Sequence, residues 1–287
     1  MKKLNGNIKK IVFCSLFLLI AISMSFPANA IPFAGGEGTA GNPYQISTVE
    51  QLQNMSGYLS ANYKLINDID ASGTINWNSG AGFEPINKFA GTFDGQGHVI
   101  TGLYINRPST YYVGLFGYTL SSSKINNIGL VDVNITAHDH VGGLVGRSYC
   151  GSITKSYTTG KVTGNNYVGG LVGYLDGGNL NQSYSNVNVT GDDQVGGLVG
   201  KSLAGTITQS YSAGKVTGKS GNGGFVGILY CGNITGSYWD IETSGQSTSA
   251  GCNGATGMTT DEMKTQSTYS GWDFTSVWNI CNDTVSS

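Results

Sequence analysis

One stretch limits what this chain can fold into more than any other. From Val141 to Gly227 a single unit returns every 27 residues without insertion or deletion. Val141-Gly-Gly-Leu-Val-Gly146 recurs from Val168 and from Val195, and returns weakened as Asn222-Gly-Gly-Phe-Val-Gly227. Other columns keep the same step. Gly151, Gly178, Gly205 and Gly232 form one; Ile153, Leu180, Ile207 and Ile234 form another; Ser-Tyr pairs end at Tyr157, Tyr184, Tyr211 and Tyr238. Val162, Val189 and Val216, each followed by Thr, close the unit. A fixed period without gaps marks a stack of equivalent units that bury their apolar faces on one another.

Composition decides what the unit is. Gly accounts for 45 of the 287 residues and recurs several times per unit. Interior Gly costs a helix about 1 kcal/mol relative to Ala. The apolar residues sit in short Val-, Ile- and Tyr-rich runs between Gly, Asn and Ser, which is strand and turn chemistry. Three runs fit in each unit: Gly-Leu-Val-Gly, Ile-Thr-x-Ser-Tyr and Lys-Val-Thr-Gly. That is one coil of a parallel β-helix. The Leu-x-x-Leu-x-Leu frame of a leucine-rich repeat is missing. Coils stack at the strand spacing of about 4.8 Å, so each column meets itself one coil on. Leu144, Val162, Leu171, Val189, Leu198, Val216, Phe225 and the Ile153 column are expected inside. Polar Lys155 and Gln182, between Ile153 or Leu180 and the following Tyr, require a bend there. The side on which the Tyr rings fall stays open.

Val-Gly-Gly-Leu-Val-Gly followed by Gly-x-Ile-x-x-Ser-Tyr and Gly-x-Val-x-Gly resembles the GLUG-motif repeat. That repeat occurs in secreted and surface proteins of bacteria and archaea, including filamentous-haemagglutinin-like adhesins and the non-catalytic part of some streptococcal IgA peptidases. The resemblance implies a β-solenoid on the cell exterior and no defined reaction.

The remainder of the chain frames the repeats. Met1–Ala30 reads as a signal peptide: Lys2, Lys3, Lys9 and Lys10, an apolar run from Ile11 to Phe26, and Ala28-Asn29-Ala30 for cleavage. No membrane span is expected in the mature chain. Residues 31–62 read as an entry linker and a capping helix over Ser47–Tyr58, with Ser47 and Glu50 as its capping box. Strands are expected from Tyr63, and residues 63–240 form the solenoid, about seven coils long. Val113-Gly-Leu-Phe-Gly117 is an early copy, off-period by two residues. Residues 241–287 form a mixed C-terminal cap that opens a helix near Thr259 and ends in Trp272 and Trp278. The expected fold is therefore all-β.

Several sites suggest themselves. Tyr157, Tyr184, Tyr211 and Tyr238 form an aromatic stripe: a platform for glycan or protein if the rings face out, a packing ladder otherwise. His138-Asp139-His140 is the one cluster that hints at a metal, but it occupies a turn that carries Asn165-Asn166-Tyr167 and Asp192-Asp193-Gln194 in later coils, and a metal site wants three or four convergent ligands. No metal or other cofactor is expected. Cys150 and Cys231 share a column three coils apart, about 14 Å at the strand spacing, too far to bridge. Cys252–Cys281 is the preferred disulfide, with Cys231–Cys252 the alternative.

Net charge is −2 with 11% charged residues, so nothing marks a nucleic-acid surface. Acids in the regular coils are few (Asp139, Asp176, Asp192, Asp193), and Lys161 and Lys215 share a column without an acid in register. The leading expectation is a secreted or surface-bound, non-enzymatic scaffold for adhesion, with an extracellular glycan or a host or neighbouring-cell protein as partner. The competing one is a polysaccharide lyase or hydrolase working in the irregular N-terminal coils between Trp77 and His98, where Asp94 and His98 are close in sequence, although the turn glycines explain them equally well.

Overall fold

Counterparts one period apart are strand partners. Val145 pairs with Val172, Val172 with Val199 and Val199 with Val226, all in parallel. Ile153, Leu180, Ile207 and Ile234 pair in the same succession, as do Tyr157, Tyr184, Tyr211 and Tyr238. The computed structural model describes residues 32–249, 254–281 and 284–286, and it is a parallel β-solenoid of about seven turns with few helical segments. The expected signal segment and the Cys252–Cys281 bridge lie outside the described residues.

Each regular coil has four sides rather than the three read from the sequence. In the first complete unit they are Val145–Tyr149, Ser152–Thr154, Tyr157–Thr163 and Asn166–Gly169, here faces I to IV. Two local causes account for the difference. The Ile-Thr-x-Ser-Tyr run breaks where a bend was expected: Lys155, Gln182 and Gln209 take φ of 49°, 48° and 44°. The Val-Gly-Gly-Leu-Val-Gly motif is not one strand but a corner. Val168-Gly169 ends face IV, Gly170-Leu171 turns, and Val172 begins face I of the next coil. The corner is tight enough to demand Gly. A Cβ on Gly169 would sit 2.0 Å from the Val172 carbonyl oxygen, and one on Gly170 would sit 1.9 Å from Ser185 Oγ.

Every position expected inside is there: Leu144, Ile153, Val162, Leu171, Val189, Leu198, Val216 and Phe225 are all buried. Each such side chain contributes about 1.5–3 kcal/mol by leaving water. The Ser of each Ser-Tyr pair satisfies the bend. Ser183 Oγ donates to the Asn181 carbonyl (2.8 Å) and accepts from the Ser156 amide (3.2 Å), and Ser210 repeats the arrangement one coil on. The hydroxyls thus bond along the stack as well as within each coil, leaving no buried amide orphaned there.

The irregular coils are filled differently. Phe83, Phe89, Phe93 and Phe116 are fully buried, with the Phe89 and Phe116 rings 4.9 Å apart. The winding starts before Tyr63, because strand Tyr44–Ile46 pairs in parallel with Asn62–Leu65. The helix Val49–Asn54 lies between these strands in sequence, and Leu52 and Met55 join the core. Its cap is one residue later than the sequence suggests. Thr48 Oγ1 accepts from the Gln51 amide, while Gln51 Oε1 accepts from the Ser47 amide. Two good cap residues stand side by side, and the backbone selects the second.

At the other end, strand Ala255–Met258 extends face III by pairing with Ser237–Asp240, so the winding continues into the segment read as cap. The helix Thr260–Met263 opens on a capping box formed by Thr259 and Glu262. Residues Gln266–Thr268 follow as a 3-10 turn, and Trp272 and Trp278 are buried beyond it.

Candidate functional site on two aromatic columns

Two columns of rings run along the outside of the stack. The first is the Tyr stripe on face III. Tyr157, Tyr184 and Tyr211 stack nearly flat at 4.7 and 4.8 Å, with ring planes within 6°. They lie outside the solenoid core, in a cluster of their own. The C-terminal segment lies over them: Trp278 is 5.9 Å from Tyr211, Trp272 is 5.8 Å from Tyr238, and Tyr269 meets Tyr238 edge-on at 5.2 Å. Two hydrogen bonds fasten this cover, from the Trp272 indole N–H to the Gly236 carbonyl (2.8 Å) and from Gln209 Nε2 to the Gly271 carbonyl (2.7 Å). Tyr184, Tyr211 and Tyr238 are buried as a result, and Tyr157 is half-buried at the end of the stripe. Burial, then the neighbouring rings, push the Tyr184 and Tyr211 hydroxyls well above the usual phenol range. A cavity of about 410 Å³ adjoins Tyr157, bounded by Gln96, Asn127, Gly129, Lys155 and Val277.

The second column, on face I, was not singled out in the sequence. Register places Tyr118, Arg147, Tyr174, Lys201 and Ile228 one above another. Ring and cation alternate through its first four places. The Arg147 guanidinium lies 5.4 Å from the Tyr118 ring and 5.1 Å from Tyr174. Lys201 Nζ lies 4.8 Å from Tyr174, 4.9 Å from Tyr167 and 5.2 Å from Tyr230. Each is within reach of a cation–π attraction worth about 0.5–2 kcal/mol. Arg147 also bonds Asp176, and burial, then the Asp176 charge, raises the Tyr174 hydroxyl above its ordinary value. Tyr149 and Tyr230 stand exposed on the same face, at 43% and 59%.

A turn column flanks this face. Tyr112, His140, Tyr167 and Gln194 all hold φ between 56° and 58°, where Gly221 follows at 60°. Side chains other than Gly or Asn rarely adopt that region, and holding one there costs on the order of 1–3 kcal/mol. The turn sets rings beside face I: Tyr112 lies 6.1 Å from Tyr118, and His140 lies 5.7 Å from Tyr174. His140 lies 4.7 Å from Tyr112 and 4.6 Å from Tyr167, and its Nδ1 is buried without a hydrogen-bond partner. Burial first, opposed by Asp139 and then reinforced by Arg147 and Lys201, lowers its pKa to about 4, so the ring is neutral near neutral pH.

The other sequence-derived residues fall apart from one another. His138 Nδ1 lies 3.0 Å from Asp139 Oδ1 but outside hydrogen-bonding geometry. Asp139 instead accepts from the Asn166 backbone and side-chain amides, both at 3.1 Å, bracing the turn one coil on. Among the described residues no three His, Cys, Asp or Glu side chains converge to hold a metal. His98 pairs with Asp68 at 3.0 Å, whereas Asp94 bonds Gln96 and Asn127, so Asp94 and His98 do not act on each other. Asp192 pairs with Lys219 at 2.8 Å, and Asp193 accepts from Ser220 at 2.7 Å. Cys150 and Cys231 are exposed and unpaired.

The column that sequence reasoning missed was present in the 27-residue step. Arg147, Tyr174, Lys201 and Ile228 each follow the second Gly-bearing pair of the motif. They differ in identity, so a search for repeated residues passes over them.

The winding, the corner glycines and the serine bends together define a parallel β-solenoid assembled from short repeats. Its repeats are those of a known motif: the GLUG motif model matches residues 138–163 and 191–217, and the chain is a GLUG-repeat β-solenoid. Halomucin from Haloquadratum walsbyi is 44% identical over 130 residues, covering 44% of this chain and 1% of halomucin. A protein of Evansella cellulosilytica, described as a candidate Gly-rich membrane protein, is 39% identical over 146 residues, covering 47% of this chain and 17% of that protein. This chain thus spans a small part of the length of either relative. The crystal structure of a candidate immunoglobulin A1 protease from Bacteroides ovatus superposes with a TM-score of 0.71 at 20% identity, covering 89% of this chain and 95% of that one. That likeness is one of fold.

Proposed function

We propose that this protein is a non-enzymatic extracellular scaffold that binds a glycan along face I. The observation that carries the reading is the run of rings and cations from Tyr118 to Lys201, in which Tyr174 is buried while Tyr118, Arg147 and Lys201 are partly exposed, with Tyr149 and Tyr230 exposed beside it. Flat rings with polar groups between them suit the apolar faces and hydroxyls of sugar rings. The face III stripe presents the same residue type, but most of it is already occupied by the chain's own Trp and Tyr residues.

An exterior location is supported by the basic and apolar N-terminal sequence and by two relatives whose names, halomucin and Gly-rich membrane protein, point to the cell envelope. No helix among the described residues is long and apolar enough to cross a membrane. Adhesion follows if the partner glycan belongs to another cell.

The test is a glycan array followed by calorimetry on residues 31–287, with Tyr149→Ala and Tyr230→Ala alongside. Binding that weakens in both variants without loss of fold is the expected result. No binding to any glycan counts against the reading. The competing enzymatic reading draws on the Asp68–His98 pair, where a carboxylate holds the imidazole at 3.0 Å. Polysaccharide turnover that disappears in His98→Ala would favour it.

A further inference from the structure

We infer that the glycan bound on face I is acidic, and that one of its carboxylate or sulfate groups sits on Lys201. The inference rests on the glycan-binding reading and narrows it.

The two cations of the column are in different states. Arg147 already has its anion in Asp176, and its guanidinium also lies 6.0 Å from the Tyr112 ring. Lys201 has none. The ion pairs among the described residues are His98–Asp68, His138–Asp139, Arg147–Asp176 and Lys219–Asp192, so no carboxylate reaches Lys201. Its ammonium is held among the rings of Tyr167, Tyr174 and Tyr230. Ring faces attract a cation but do not neutralise it, and they displace water that would otherwise solvate it. An anion arriving there meets a half-buried, positioned charge, where a charge-assisted hydrogen bond is worth more than at an open surface.

The surrounding charge agrees. Arg147, Lys201 and Asp176 leave this part of face I with one net positive charge, on a chain whose formal charge is −2. His140, packed against the same rings, stays neutral and so adds nothing to compete with a bound anion's partner. The spacing also fits a chain-like ligand. Arg147 and Lys201 are two coils apart, about 10 Å at the strand spacing, which is close to the length of a disaccharide. A sugar chain running along the stack can therefore place an acid on Lys201 while a neighbouring residue meets the ring and guanidinium faces one or two coils away.

The experiment compares four ligands by calorimetry against the full chain: an oligogalacturonate, its methyl ester, a sulfated galactan oligomer and the neutral galactan oligomer. Each is measured at low and raised salt with wild type, Lys201→Gln and Lys201→Arg, after circular dichroism has shown that the variants fold. At least one acidic ligand is expected to bind about tenfold more tightly than its neutral counterpart, the worth of one charge-assisted contact. The advantage should fall with salt, vanish in Lys201→Gln and persist in Lys201→Arg, while the neutral ligands bind each form alike. Comparison of the uronate and sulfate arms shows which acid the site takes. Equal binding of acidic and neutral ligands, or an acidic preference untouched by Lys201→Gln, overturns the inference while glycan binding stands. Failure of all four ligands, or binding of an acidic peptide alone, overturns both.

Discussion

The two aromatic columns use the same device and meet opposite ends. On face III, Tyr157, Tyr184 and Tyr211 stack ring on ring, and the C-terminal Trp residues bury them. On face I, rings alternate with Arg147 and Lys201; Tyr174 between the two cations is buried, while Tyr118, Arg147 and Lys201 stay partly exposed. The lattice of coils sets the same vertical spacing for both. What separates them is charge. A ladder of uninterrupted rings is an apolar strip that another part of the chain can cover at no electrostatic cost. A ladder broken by cations resists full burial, because each charge would lose its water, so its cations stay partly exposed and within reach of a ligand that brings its own anion.

That contrast can be broken most severely at its covered side. Tyr211→Ala removes a ring packed between Tyr184 and the two Trp residues, and should lower stability by about 3–5 kcal/mol in a denaturant titration; ligand binding on face I should survive at temperatures where the variant is folded. Next in size is Gly169→Ala. The added methyl meets the Val172 carbonyl at the corner leading into face I, and should cost about 1–3 kcal/mol together with loss of binding on that face. A smaller effect sharpens the comparison by pH. His140 titrates at about 4 in the folded chain against an ordinary 6.5. The unfolded chain therefore takes up the proton first, and the stabilisation present above pH 6.5 is lost progressively as pH falls toward 4. His140→Gln, which copies the Gln194 found two coils on, should flatten the melting temperature across that window. The smallest effect on stability belongs to Tyr230→Ala: a ring 59% exposed should change unfolding free energy by no more than about 0.5 kcal/mol, yet weaken glycan binding roughly tenfold if it is a central contact.

The sequence disclosed the stack, its register and its inward residues, because each coil restates them and every restatement is a check on the others. Leu144, Leu171, Leu198 and Phe225 are one observation made four times. It disclosed less of the corners. Gly-Gly-Leu reads as strand by composition and acts as a turn because Cβ atoms at Gly169 and Gly170 would strike the neighbouring backbone and side chain. The side taken by the Tyr stripe depended on Trp272 and Trp278, which are distant in sequence and follow no period. The face I column escaped notice for a related reason: a site assembled from Arg147, Tyr174 and Lys201 is periodic in position and irregular in kind. At the helix Val49–Asn54 the error was a single residue, where Ser47 and Thr48 offer equivalent hydroxyls and only the backbone angle at Thr48 distinguishes them.

The gapless 27-residue winding has a consequence for how such a molecule changes over generations. In-frame duplication of one unit adds one rung to every column at once, without disturbing the corners above or below it. The reach of face I along a polymer is then inherited as copy number, while its taste for that polymer is inherited separately, through the few variable places that each new rung supplies.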